Sequence, residues 1–185
     1  SMFVFLGVFI VIAIIGGSWF MRTYNGLVQV VENIKKAFAN IDVLLMQRSD
    51  ELPKLIDTVK GFASHEKEIF GNVLKARETM LSAKTVSEKA KASGGISDAL
   101  KSVFALSEAY PDLRSNENFL QLQSRISDIE NSIADRRESY NESVNNYNIR
   151  IKSLPDVFIA NAMNLSSEEM FQVPEEKKED VKIDL

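Results

Sequence analysis

The sequence predicts an all-α protein: an N-terminal apolar helix of transmembrane type, then an elongated antiparallel bundle of long helices. Three observations carry this. Residues 2–20 are apolar apart from their glycines and Ser18. Beyond them the apolar residues recur at steps of three and four, the helical period. No stretch alternates with period two for long enough to argue a strand.

The first element is the run MFVFLGVFIVIAIIGGSWF, Met2 to Phe20. At about 1.5 Å per residue, some 20 residues cross a hydrocarbon core about 30 Å thick. The side chains expected to face lipid or like chains are Phe3, Val4, Phe5, Leu6, Val8, Phe9, Ile10, Val11, Ile12, Ile14, Ile15, Trp19 and Phe20. Trp19 sits where an interfacial aromatic belongs, and Arg22 and Tyr24 follow. A secretory signal fits poorly: no basic n-region precedes the run and no A-x-A-like site follows it.

The body follows in four stretches. Leu27, Val31, Ile34, Phe38, Ile41 and Leu45 alternate steps of four and three, a heptad seam of coiled-coil type. Asp50 to Pro53 reads as a helix restart, with Asp50 as N-cap and Pro53 in a first turn. The second seam is Leu52, Ile56, Val59, Ala63, Glu66, Phe70, Val73, Arg77 and Met80. Lys91-Ala92-Ser93-Gly94-Gly95 reads as the clearest break. A shorter helix on Ile96, Leu100, Val103 and Leu106 ends at Tyr110-Pro111-Asp112. The last long helix runs from about Asn116 to Leu154 on a seam through Phe119, Leu122, Ile126, Ile129, Ile133, Arg136, Tyr140, Val144, Tyr147, Ile151 and Leu154, and Pro155 stops or kinks it. The expected organisation is 1–22 hydrophobic helix, 23–162 helical bundle with a break near 92–95, and 163–185 acidic tail.

Composition excludes much chemistry. The chain has 185 residues, no Cys and one His. That removes disulfides, thiolate nucleophiles and Cys-ligated zinc, and a single His cannot build a two-His metal site. His65-Glu66 lacks the second His of a zincin, because position 69 is Ile69, and di-iron bundles need two Glu-x-x-His units. Arg77, Arg136 and Glu66 fall in seams, where polar side chains fix helix register. The four-residue excess of acids over bases lies entirely in Leu165–Leu185, leaving a balanced body without the basic face that nucleic acid requires. Tyr140-Asn141 and Tyr147-Asn148 repeat at seven residues, so both rings lie on one face with their hydroxyls reaching a partner.

From Tyr24 to Pro155 the chain resembles the LemA family of membrane-anchored helical proteins. The likeness begins at Tyr24-Asn25-Gly26-Leu27-Val28, continues through Ile41-Asp42-Val43 and Leu52-Pro53-Lys54-Leu55-Ile56, and is densest from Thr58 to Glu66. It resumes at Ala109 to Arg114, Asn116 to Phe119 and Glu130 to Arg136, and closes on the two Tyr-Asn pairs and Pro155. Met46-Gln47 and Ser49 depart from the pattern, which carries a basic pair before Arg48 and an aromatic after it. The resemblance implies one N-terminal membrane helix, a long-helix bundle and no agreed biochemical activity. The run Val11 to Gly16 also resembles the N-terminal helix of type IV pilins, although Phe5 stands where pilins usually carry Glu.

Two functions follow as expectations. The first is a non-catalytic, membrane-anchored interaction or structural protein, single-pass, held by lipid and by a homo-oligomeric or protein partner. The second is a processed, pilin-like subunit of an extracellular filament whose apolar helices pack in the filament core. Ser1 separates them. If it is a scar before Met2, the positive-inside rule places the body in the cytoplasm, because Arg22, Lys35 and Lys36 follow the span. If a basic leader was removed, the body is exported. An enzyme, a cofactor, a metal and a small-molecule substrate are not expected.

Overall fold

The computed structural model describes residues 2–174, which are predominantly helical with no strand among them. The elements are α1 Met2–Lys60, α2 Lys67–Ser82, α3 Val86–Ala109, α4 Pro111–Arg114, α5 Glu117–Arg150 and α6 Asp156–Ala162. The fold is the expected all-α class, a long apolar N-terminal helix with a helical bundle.

Helix α1 corrects the expected restart at Asp50 to Pro53. The apolar segment, the first seam and the start of the second, as far as Val59, form one helix of 59 residues with Pro53 inside it. A proline in a helix removes the N–H that would serve the carbonyl four residues back. Here that carbonyl is Ser49, and Arg77 Nε donates to it at 3.1 Å. Leu52, Leu55 and Ile56, all buried, hold the helix to its neighbours on either side of the proline. The chain breaks instead at residues 61–66, between α1 and α2.

The expected break near 92–95 is likewise corrected, because α3 runs through Gly94 and Gly95. Gly94 answers to packing: a Cβ there would lie 2.8 Å from Val173 Cγ1. The real boundary is ten residues earlier, where Thr85 and Glu88 form a capping box. Thr85 Oγ1 accepts from the Glu88 N–H at 3.1 Å, and Glu88 Oε2 accepts from the Thr85 and Lys84 N–H groups at 3.2 and 2.8 Å. At α5, the Asn116 side chain accepts from the Phe119 N–H at 3.0 Å, an N-cap bond.

The described chain divides into two compact units, both of which include parts of α1 and α5. One comprises residues 2–37 and Glu142–Glu168. Its buried hydrophobic side chains are Leu27, Ile34, Val144, Tyr147, Ile151, Ile159 and Ala160, and the polar Thr23 is buried as well. Arg150 packs against Gly26 so closely that a Cβ there would lie 2.8 Å from Nη2, and Arg150 Nε donates to Asp156 at 2.7 Å. Leu154, expected in the seam, is exposed because the chain turns out of α5 after Arg150.

The other unit comprises Phe38–Asn141 and residues 169–174. Leu45, Leu52, Val59, Phe70, Val73, Met80, Ile96, Leu100, Val103, Phe119, Ile126, Ile133 and Tyr140 are buried in it, the expected seams of four helices. Arg136 is not in that seam. It is exposed, and Arg137 is half-buried in its place, so the stripe steps Ile133, Arg137, Tyr140.

Candidate functional site

The thirteen apolar side chains expected to meet lipid or like chains are all in α1 and all exposed, from 40% at Trp19 to 82% at Phe3. The apolar stretch of this helix has a mean hydropathy of 2.5, and none of it is buried in the protein. Gly7, Gly16 and Gly17 have no neighbouring side chain within reach of an added Cβ. Residues 2–20 therefore present apolar surface all round, a pattern that suits a hydrocarbon surrounding and not one face of a core. Phe20 stacks on Tyr24 with ring centroids 6.2 Å apart, placing two aromatics with Trp19 at the polar end of the segment.

Among the described residues the body holds one deeply buried cation, which the sequence did not single out. Arg48, 1% exposed, donates from Nη2 to the Ser93 carbonyl and hydroxyl at 3.2 and 2.9 Å. Its Nη1 donates to Ser97 Oγ at 3.2 Å and to Glu130 Oε1 at 3.3 Å, and the Ser97 hydroxyl donates to the same carboxylate oxygen at 3.3 Å. Burial lowers the Arg48 pKa from its ordinary value, and the Glu130 charge opposes that shift. Nε lacks a hydrogen-bond partner, the one such buried side-chain atom among the described residues. Arg48, Ser93, Ser97, Glu130 and Phe171 line a cleft of about 330 Å³. The cluster ties α1, α3 and α5 at one level. The signal that marks it is the pair of small hydroxyl residues Ser93 and Ser97, one turn apart and facing a long basic side chain.

The Tyr-Asn repeat holds an extended segment. Tyr147 donates to the Ser166 carbonyl at 2.9 Å, and the Asn148 amide both accepts from the Glu168 N–H at 2.8 Å and donates to its carbonyl at 3.1 Å. Asn141 does the same for Phe171, at 2.7 and 3.0 Å, beside Tyr140 donating to the Glu169 carbonyl at 3.0 Å. Desolvation raises the Tyr147 pKa, with the Glu168 charge adding to it. The described part of the acidic tail is thus held at its backbone: Phe171 is fully buried and its backbone is bonded, while the Glu168 and Glu169 side chains stay exposed. Glu175, Glu176, Glu179, Asp180 and Asp184, with Lys177, Lys178 and Lys182, lie outside the described residues.

His65 is exposed between α1 and α2, and Glu66 accepts from the Tyr110 hydroxyl at 3.4 Å. No group of three or more His, Asp or Glu side chains suited to a metal converges among the described residues. Lys89 pairs with Asp42 and lies over the Phe38 ring at 5.6 Å, and Arg125 and Lys54 both bond the buried Glu51. Each of these contacts joins or braces helices.

The family model described as the LemA family matches residues 37–185. The magnetosome protein MamQ of Magnetospirillum gryphiswaldense is 23% identical, over 76% of this chain and 61% of that protein. Two MamQ proteins of Paramagnetospirillum magneticum are each 25% identical, over 82% of this chain and 65% of theirs. The chain thus spans a little under two thirds of the length of the curated relatives it matches.

Proposed function

Because the chain belongs to the LemA family, we propose that it is a non-catalytic, single-pass membrane protein whose helical body serves interaction or structure. The observation that carries this is the exposure of residues 2–20. Leaving thirteen large apolar side chains in water costs on the order of 20 kcal/mol relative to burying them. Nineteen helical residues rise about 28 Å, close to the hydrocarbon thickness of a bilayer. Arg22, Lys35 and Lys36 on the body side favour a cytoplasmic body. The polar clusters of the body brace helices against one another, in keeping with a scaffold. The curated relatives are named for a cellular structure and not for a reaction, which supports the same reading.

The test is alkaline carbonate extraction of membranes from cells producing the full chain, beside the double variant Ile10→Arg/Ile14→Arg. The wild type is expected to stay with the membrane, and the variant to be released, since each mid-span Arg costs about 3 kcal/mol on insertion. Wild-type chain in the soluble fraction contradicts the anchor. Micrographs showing fibres built from the chain replace it with the filament reading, in which the same apolar helices pack on one another.

A further inference from the structure

We infer that the corner between α5 and α6 is a second lipid contact, with Leu154 and Phe158 seated in the headgroup layer beside the anchor. This rests on the anchored reading above and adds a surface to it. Leu154 is 75% exposed and Phe158 66%, while their neighbours Ile151, Ile159 and Ala160 are buried. The corner thus turns one apolar set inward and holds a second outward. Ile149, 56% exposed in the last turn of α5, extends the outward set.

The place of the corner identifies its occupant. Arg150 lies against Gly26, two residues past Tyr24 and seven past Trp19. Seven helical residues rise about 10 Å, so Arg150 is within about 10 Å of the aromatic belt along α1. α5 ends at Arg150, against Gly26, so the corner between α5 and α6 begins within that distance of the belt. The turn that carries Leu154 opens at that point, with Leu154 four residues past Arg150.

Charge at the corner suits an anionic lipid surface. Arg22 and Lys152 are exposed, the acid Asp156 is already paired with Arg150, and the exposed acid Glu168 lies back along α5, its backbone bonded to Asn148. Apolar side chains rimmed by bases, next to a span, fit the interfacial layer, where apolar faces sink about 5–10 Å.

Full-length chain in phosphatidylcholine–phosphatidylglycerol vesicles gives the test, read by quenching from lipids brominated just below the headgroup. The native chain carries one Trp, Trp19, so its emission reports the anchor alone. The double variant Trp19→Phe/Phe158→Trp reports the corner. Its emission is expected to shift to the blue and to fall by about half with the brominated lipids, as a depth of about 5–10 Å requires. Solvent-like, unquenched emission from the variant, with Trp19 of the native chain quenched, overturns the corner contact and leaves the anchor standing. Blue-shifted emission that brominated lipid does not touch assigns the corner to a second copy and also overturns it. An unquenched Trp19 removes the anchor and the corner together. A spin label on Leu154→Cys, in a chain without native Cys, gives the same comparison at the other apolar position, should Phe158→Trp disturb α6.

Discussion

Arg77 Nε donates to the Ser49 carbonyl at 3.1 Å, the carbonyl that Pro53 leaves without its helical partner. The two facts explain each other. A helix tolerates an internal proline when another group satisfies the freed carbonyl. Arg77→Met is expected to destabilise the chain by about 1–2 kcal/mol, the usual result of leaving a buried acceptor unpaired. In the Pro53→Ala background the restored N–H serves Ser49, and the same Arg77→Met change is expected to lose most of its effect. Thermal melts of the four chains, followed by circular dichroism in one detergent, measure that coupling.

Arg48 and Glu130 are expected to respond unequally. Glu130→Ala leaves the buried guanidinium without its counter-charge and is expected to cost about 1–2 kcal/mol, discounted because the Glu130 side chain is 34% exposed. Arg48→Met replaces a buried charge by an apolar chain of similar length, and frees Glu130 to meet solvent. It is expected to cost less than Glu130→Ala, in spite of the bonds lost to Ser93 and Ser97. Denaturant midpoints for the two variants give the order.

The adjacent glycines of α3 separate propensity from packing. An added Cβ at Gly95 meets nothing, so Gly95→Ala is expected to stabilise by up to about 1 kcal/mol through helix propensity. At Gly94 the same Cβ lies 2.8 Å from Val173 Cγ1. Gly94→Ala is therefore expected to displace Val173 and raise proteolytic cleavage around residues 172–174. Asn141→Ala is expected to raise the same cleavage, because it removes both bonds to Phe171.

The N-terminus of α3 carries a pH dependence of known sign. The backbone N–H groups of Lys84 and Thr85 hold the Glu88 carboxyl below its ordinary value of 4.5. A group whose folded pKa is depressed stabilises the fold fully above the unfolded value, and that contribution is lost as pH falls through the lower folded value. Amide exchange in the first turn of α3, corrected for intrinsic rate, is expected to lose protection across that acid window. Glu88→Gln is expected to flatten the dependence, with Thr85 still capping the helix.

Much of the fold was legible because burial follows period. Leu27, Ile34, Ile41 and Leu45 are buried as their heptad requires, and so are Ile96, Leu100 and Val103. What stayed hidden depends on contacts distant in sequence. Pro53 reads as a helix start until Arg77, 24 residues on, is seen to serve Ser49. Gly94 reads as a break until Val173 is seen against it. The T-x-x-E signature at Thr85 to Glu88 was present and marks the true boundary. The Tyr-Asn repeat showed its face, whereas its extended partner carries no periodic signal. Arg48 was not singled out as a buried residue, since its partners at Ser93, Ser97 and Glu130 lie 45 to 82 residues away. The apolar segment was legible for a simpler reason: its composition alone demands a surrounding that the chain does not itself provide.

Hydrogen–deuterium exchange on nanodiscs holding a single chain tests the central claim most directly. A span embedded in lipid is predicted to exchange slowly across residues 3–20, while residues 61–66 between α1 and α2 exchange fast. Exchange across 3–20 as fast as in that linker would contradict a bilayer anchor, because one chain in lipid would then leave the helix open to water.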